Sequence, residues 1–376
     1  MKNCELEFKL KEVLPKFSAQ LQQKMLHSIE LLRKAERLAK SYDKENGYFL
    51  AFSGGKDSQC LYHIAKLAGV QFQAHMNLTS VDPPEVIRFV REQYPDVELA
   101  KPHDSVFNVA IRRKILPTMR VRWCCEEYKE MAGAGKVTLI GIRKAESVRR
   151  AKRNEVEINN HSFSGTLDEL EDYRKQKAAK AKERKSKKIG EGITIVNADG
   201  ERVLGCIRGK ESLLISPIIE WTDKDVWTFL NTLGIAHCEL YDQGYHRIGC
   251  ILCPMSSPKQ KAKEMMRGPH VKRNWIKAIK AIRAGGGYFK KNISGGTSNA
   301  TSFRATIAED CSENKPYRNA TEKVTPGFSD SSSSDSLTEE QQNEIAENIF
   351  DWWVSGKSYK QWYADKFIHL HINFND

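Results

Sequence analysis

The chain has 376 residues, 40% of them hydrophobic and 29% charged, with a formal net charge of +12. That balance suits a globular protein with one large core plus a smaller domain or insertions, and no apolar run approaches the ~20 residues of a membrane span. Met1-Lys2-Asn3-Cys4-Glu5 opens without the apolar core of a signal peptide, so the nine cysteines read as thiols or metal ligands and the expected location is cytoplasmic.

Residues 5–42 read as helical, with Leu21, Met25, Ile29 and Leu32 on one apolar stripe. Tyr48-Phe49-Leu50-Ala51-Phe52 has the aromatic and apolar character of a short strand. Leu61, Ile64, Ala65 and Ala68 then recur at helical spacing, and Gly69 supplies a stop. Between strand and helix lies Ser53-Gly54-Gly55-Lys56-Asp57-Ser58. Such a turn is an anion cradle: backbone N–H groups and the helix dipole favour negative charge, and Lys56 adds a full positive one. The glycines permit close backbone approach, and the Ser53 and Ser58 hydroxyls can donate to phosphate oxygens. The Walker loop needs four residues between Gly and Gly-Lys, which this string lacks. It resembles instead the PP-loop of the ATP pyrophosphatase superfamily, whose members cleave ATP between the α and β phosphates. The resemblance implies that the loop holds the pyrophosphate end and that Asp57 helps bind Mg2+.

A second strand is expected over 70–78, and Asp82-Pro83-Pro84 opens a helix around Glu85–Gln93 with proline in its first turn. Val137–Ile140 and Leu213–Ile215 read as further strands. Thr222 is an N-cap signal for a helix carrying Val226, Trp227 and Leu230 to a stop at Gly234. Strands alternating with helices predict an α/β fold with a doubly wound parallel sheet, whose ligands bind at the carboxyl ends of its strands. Residues 154–210 interrupt the rhythm as a polar, lysine-rich insertion. Residues 284–336 lack periodicity and end in the linker-like run Ser329-Asp330-Ser331-Ser332-Ser333-Ser334. Thr338-Glu339-Glu340-Gln341 forms a capping box for a last helix with Ile345, Ile349, Trp352 and Trp353. The expected organisation is a helical segment 1–45, a nucleotide-binding domain 46–266 containing the insertion, a basic helix and linker 267–336, and a helical appendage 337–376 that packs or binds a partner.

Cys124-Cys125 and Cys250-Ile251-Leu252-Cys253 are the second chemical feature. Four thiolates suit either tetrahedral zinc or a four-iron cluster, and spacing does not separate the two. The order of PP-loop, Cys-Cys pair and Gly249-Cys250-Ile251-Leu252-Cys253-Pro254 resembles the phosphoadenosine phosphosulfate (PAPS) reductase family. Gly141-Ile142-Arg143-Lys144-Ala145-Glu146-Ser147-Val148-Arg149-Arg150 is similar to that family's Gly-x-Arg-x-x-Glu-Ser-x-x-Arg element, and Pro217 through Trp227 to its Pro-x-x-x-Trp-Thr-x-x-Asp-Val-Trp element. The resemblance runs from about Ile29 to about Lys263. It implies the adenine nucleotide alpha hydrolase (PP-loop, Rossmann-like) fold, with Arg143 and Arg150 beside Ser53–Ser58 as nucleotide ligands. It also implies a 4Fe-4S cluster on Cys124, Cys125, Cys250 and Cys253. Arg143 follows a strand end, which places its guanidinium near the phosphates, although a surface ion pair with Glu146 is the plainer role for either arginine. Cys4, Cys60, Cys206 and Cys311 have no such frame, and Cys238 is a candidate lining residue.

Reductases of the family carry a nucleophilic cysteine in a Glu-Cys-Gly-(Ile/Leu)-His setting, and typically a degraded PP-loop. Here the loop is intact. After Cys253 only Cys311 remains, and the acids of Glu309-Asp310-Cys311-Ser312-Glu313 disfavour its thiolate. The expectation is an ATP-dependent enzyme that releases pyrophosphate while adenylylating an acceptor, then installs sulfur. Lys56, Asp57 and Arg143 are its catalytic residues, and the cluster handles sulfur. One alternative is an adenylyl-sulfate or PAPS reductase with Cys311 or Cys238 as nucleophile. Another is a nucleic-acid-binding protein gated by its nucleotide. Residues 174–188 and 259–283 each hold nine Lys/Arg against one acid. They suit contact with tRNA or DNA, and equally a solvated helix face. A sulfur donor or reductant protein is the other implied partner, and a homodimer stays open.

Overall fold

The computed structural model describes residues 2–183, 194–196, 202–204, 207, 211–285, 337–358, 361–363 and 365–366. In chain order the first elements are α1 (Lys2–Val13), α2 (Ala19–Tyr42), β1 (Tyr48–Ala51), α3 (Lys56–Ala68), β2 (Phe72–Asn77), α4 (Pro84–Gln93), β3 (Glu98–Ala100) and α5 (Val106–Arg113). Next come the short α6 (Trp123–Cys125), β4 (Val137–Leu139), β5 (Val156–Ile158), β6 (Ser164–Gly165), α7 (Leu167–Glu183), β7 (Thr194–Val196), β8 (Arg202–Leu204) and β9 (Leu213–Ile215). The last are α8 (Asp223–Thr232), α9 (Pro258–Arg267), α10 (Pro269–Ala284) and α11 (Glu339–Ser355). They divide into two units, residues 1–102 with 125–249 and residues 103–124 with 250–376.

The first unit is built on a seven-stranded sheet of order β3-β2-β1-β4-β9-β5-β6. Its first five strands run parallel, whereas β5 pairs antiparallel with β9 (Val156 opposite Ile215) and β6 antiparallel with β5. Tyr48, Leu50, Val137, Leu139, Leu213 and Ile215 are fully buried, as expected of parallel strands covered on both faces. The chain leaves β1 towards β2 and β3 and returns on the other side at β4. That reversal opens a crevice beyond the carboxyl ends of β1 and β4.

Local signals behave as their chemistry requires. Gly69 ends α3 in the left-handed region at φ 71°, and the capping box Thr222–Asp225 starts α8. The helix expected over 5–42 is two helices instead. Pro15, which has no amide to continue the ladder, sits in a 3-10 turn, and Ser18 recaps α2 by accepting from the Leu21 amide at 3.4 Å. The insertion expected over 154–210 begins inside the sheet, as β5 and β6. Three and two residues are too few to show an alternating pattern. Residues 184–188 of the first basic segment, Cys206, Cys311 and the run Ser329–Ser334 lie outside the described residues. No helix among the described residues is long and apolar enough to cross a membrane.

His63 on α3 carries a pH dependence. Burial, helped by the nearby Lys66 charge, lowers its imidazole from 6.5 to about 4. The unfolded imidazole takes up a proton near pH 6.5, so between roughly pH 6.5 and 4 the unfolded state binds more protons. Stability from this site is therefore complete above that window and lost as pH falls through it. Between pH 7 and pH 5 wild type is expected to lose about 1–2 kcal/mol more than His63→Gln in urea denaturation. Equal losses in the two proteins would show that His63 does not set the dependence.

The described secondary-structure elements of the second unit are helices. Trp275 of α10 meets Phe107 of α5 edge-on at 4.9 Å between ring centroids and Trp353 of α11 at 5.0 Å. The Trp353 indole donates to the Pro117 carbonyl at 2.6 Å. The capping box Thr338–Gln341 forms as the sequence indicates. The buried face of α11, however, is Ala346, Phe350, Trp353 and Val354, with Ile345, Ile349 and Trp352 half-buried beside it. The rings of Phe350 and Trp353 stand 6.0 Å apart within that face.

Candidate nucleotide site

The Ser53–Ser58 loop joins the carboxyl end of β1 to the N-terminus of α3. Gly54 has φ +69°, and a Cβ there would lie 2.8 Å from Val86 Cγ1 and 2.9 Å from Val90 Cγ2, so only glycine fits. Ser58 donates to the Gly55 carbonyl at 2.9 Å, and its hydroxyl stands 3.1 Å from that of Ser53. The two serines thus hold the loop closed as well as lining it. The amides of Asp57 and Ser58 have no acceptor among the described residues, as expected for donors in a first helical turn. The Lys56 amide donates to the Tyr241 hydroxyl at 2.8 Å.

Three adjacent strands deliver charge to this mouth. Lys56 follows β1, Arg143 follows β4 and Asp223 follows β9. The Arg143 Nε donates to Asp57 Oδ1 at 2.6 Å, its Nη2 to Asp223 Oδ1 at 2.9 Å and its Nη1 to the Trp221 carbonyl at 3.4 Å. Lys56 Nζ lies 3.2 Å from the same Asp223 oxygen and 3.5 Å from Asp57 Oδ2. Both cations are buried, Lys56 at 5% and Arg143 at 2% exposure, while Asp223 is 62% exposed on its side chain. Burial works against the charge on Arg143, but Asp57, Glu146 and Asp223 outweigh it and hold the guanidinium above its ordinary range. Gly141 explains how β4 comes so close: a Cβ there would sit 3.0 Å from the Asp57 carbonyl oxygen.

Arg143 and Lys56 are thus brought together with Asp57 at one site, and Arg150 stands next to it, across Glu146. Glu146 accepts from the Arg143 amide at 2.9 Å and pairs with the Arg150 guanidinium through its other oxygen. Burial first, and then the neighbouring Arg247 charge, pull Arg150 below its usual range despite Glu146. The ion pair with Glu146, the plainer role for this residue, is therefore formed. Two residues absent from the expected site, Asp223 and Tyr241, make direct contacts with its side chains and loop. Asp223 reads in the sequence only as an acid in a helix's first turn, and Tyr241 carries no motif position that would mark it.

Asp57 is a hard oxygen donor with only the loose Lys56 contact on Oδ2, which fits a magnesium ion. Cys124, Cys125, Cys250 and Cys253 are half-buried thiols outside any disulfide, soft donors of the type a cluster takes. Among the described residues no group of three or more His, Cys, Asp or Glu is placed to hold a metal ion. The Cys250–Cys253 turn is closed by the Cys253 amide donating to the Cys250 carbonyl at 3.2 Å. Within it Leu252 adopts φ 57°, and its amide donates to buried Glu264 at 2.6 Å. Cys238 is fully buried, and burial pushes its thiol above the ordinary range, which disfavours an attacking thiolate. Of the basic segment 259–283, Lys259, Lys263, Arg267, Arg273 and Lys277 are exposed. Lys261 is buried and donates to the Val354 carbonyl at 3.2 Å, so it serves packing.

The family model described as "Phosphoadenosine phosphosulfate reductase domain" matches residues 47–256, more than half of the chain. An uncharacterized protein of Methanocaldococcus jannaschii is 25% identical over 288 residues, covering 73% of this chain and 58% of that protein. The chain spans about half the length of the uncharacterized curated relatives it matches. Adenosine 5'-phosphosulfate reductase 2 of Bacillus subtilis is 42% identical over 48 residues, 13% of this chain and 20% of that enzyme. Among solved structures, the U34-tRNA thiolase of Methanococcus maripaludis with its 4Fe-4S cluster aligns over 70% of this chain and 77% of its own, at 15% identity and a TM-score of 0.28.

Proposed function

From the premise that the chain belongs to the phosphoadenosine phosphosulfate reductase domain family, we propose that it is an ATP-dependent sulfur-inserting enzyme acting on a nucleic acid. One observation carries the reading. An intact Ser53–Ser58 loop carries the buried cation Lys56, and a second buried cation, Arg143, stands beside it at the topological switch point, the two bridged by Asp57 and Asp223. A pyrophosphate group, with three to four negative charges, matches a site of loop amides and two cations better than a lone sulfate does. The acceptor oxygen attacks the α-phosphorus and the α–β bridging bond breaks, releasing pyrophosphate and leaving the acceptor adenylylated. A sulfide-level donor then displaces AMP, so that sulfur replaces the acceptor oxygen.

Lys56, Arg143 and the Asp57 and Ser58 amides meet the charge that develops on the departing pyrophosphate. Asp57 would hold magnesium, which when bound neutralises phosphate oxygens. Cys124, Cys125, Cys250 and Cys253 are the candidate holders of a 4Fe-4S cluster, which when bound supplies a site for sulfide. The exposed lysines and arginines of 259–283 are the proposed nucleic-acid contact, which would show as salt-dependent binding. The partner that delivers sulfur or electrons belongs to the same proposal.

A second reading is sulfite release from adenylyl sulfate or PAPS, which the short segment shared with adenosine 5'-phosphosulfate reductase 2 favours. It requires a thiolate nucleophile, and buried Cys238 is a poor one. Equilibrium binding separates the two readings. ATP with Mg2+ is expected to bind at least tenfold more tightly than adenylyl sulfate, because only ATP places two phosphates beyond the α position. A preference for adenylyl sulfate would contradict the proposal.

A further inference from the structure

We infer that Tyr241 belongs to the phosphate-binding machinery, its hydroxyl donating to the β or γ phosphate of the nucleotide. This rests on reading Ser53–Ser58 as a nucleotide phosphate loop. The Lys56 amide, one of the donors at the mouth of α3, points not into open space but at the Tyr241 oxygen, 2.8 Å away. That bond uses a lone pair of the phenol and leaves its proton free to be donated. No acceptor for that proton exists among the described residues. The oxygen is also 3.5 Å from where a Gly55 Cβ would stand, so it lies against the loop itself.

The ring is held in that place. Trp227 of α8 meets it edge-on at 5.0 Å and 88°, and His237 approaches at 6.1 Å and 69°. Burial first, and then the nearby Asp57 and Asp223 charges, push the phenol far above its ordinary range, so it stays a neutral donor at any working pH. A donor with a fixed ring and one unused proton extends the helix N-terminus outward by one hydrogen bond. Phosphate oxygens, which only accept, are the chemistry it fits.

The alternative is that Tyr241 only caps the Lys56 amide, in which case it competes with phosphate for that donor. The two roles predict opposite signs for Tyr241→Phe. Calorimetry with a non-hydrolysable ATP analogue, and separately with AMP, in the presence of Mg2+ reads the difference. We expect the analogue to bind about tenfold or more weakly to Tyr241→Phe, with AMP within about twofold of wild type, since a hydrogen bond to a charged group is lost only where the outer phosphates are present. Unchanged or tighter binding of the analogue would overturn the inference, because the Lys56 amide would then be the true ligand. Equal weakening of both ligands, with a fall in melting temperature, would overturn it too and assign Tyr241 to packing. If wild type bound neither ligand, the nucleotide reading of the loop would fail first and the inference with it.

Discussion

Arg143→Met is expected to lower the rate of pyrophosphate release from ATP by about 100- to 1000-fold, the scale on which a single donor to developing charge acts. The guanidinium bonds Asp57, Asp223 and the Trp221 carbonyl at once. Methionine fills much of its volume but leaves two carboxylates beside each other and a carbonyl without its donor. Stability should fall as well, by about 2 kcal/mol rather than the larger cost of a fully buried pair, because water reaches Asp223 and partly reaches Asp57. Arg143→Lys should recover part of the stability and little of the rate, since an ammonium cannot bond both carboxylates in the same fork. Single-turnover pyrophosphate release and urea denaturation read the two effects separately. A methionine variant turning over within tenfold of wild type would reduce Arg143 to a structural ion pair.

Gly141→Ala should act on the same site without touching its charge. The added Cβ would stand 3.0 Å from the Asp57 carbonyl oxygen and 3.1 Å from its carbonyl carbon. Those are backbone atoms, which yield only by moving the start of α3 away from β4. Such a shift displaces Lys56, Asp57 and the loop amides together, and misplacement by about 1 Å costs on the order of 100-fold in positioned catalysis. ATP analogue affinity is expected to drop at least tenfold while the melting temperature falls by only a few degrees. If affinity held and stability collapsed, the close approach would be a packing feature and not part of the site.

What the sequence discloses here follows from how local each signal is. The strand-to-helix turn at Ser53–Ser58, the Gly69 stop, the N-cap at Thr222 and the capping box at Thr338 depend on neighbours within a turn, and each forms as read. Arg143 could be placed because it follows a strand. Its partners could not, since Asp57 and Asp223 lie 86 and 80 residues away. Tyr241 meets the Lys56 amide across 185 residues, and nothing near it in sequence marks a contact with that loop. Lys261 shows the converse limit: within a run of nine Lys/Arg it looks like every other surface cation, yet it is 3% exposed. Composition counts charges, and only packing decides which of them face solvent.

The proposed activity is activation of an acceptor with ATP, not reduction of a sulfonucleotide. The most direct measurement is anaerobic, on the 376-residue chain as isolated, with a thiol reductant present. ATP is supplied to one reaction and adenylyl sulfate or PAPS to another, with and without tRNA or DNA, and pyrophosphate and sulfite are quantified in each. Pyrophosphate from ATP, increased by one class of nucleic acid, is expected, with no sulfite from either sulfonucleotide. Sulfite release, with ATP left intact, would contradict it and make the protein a reductase.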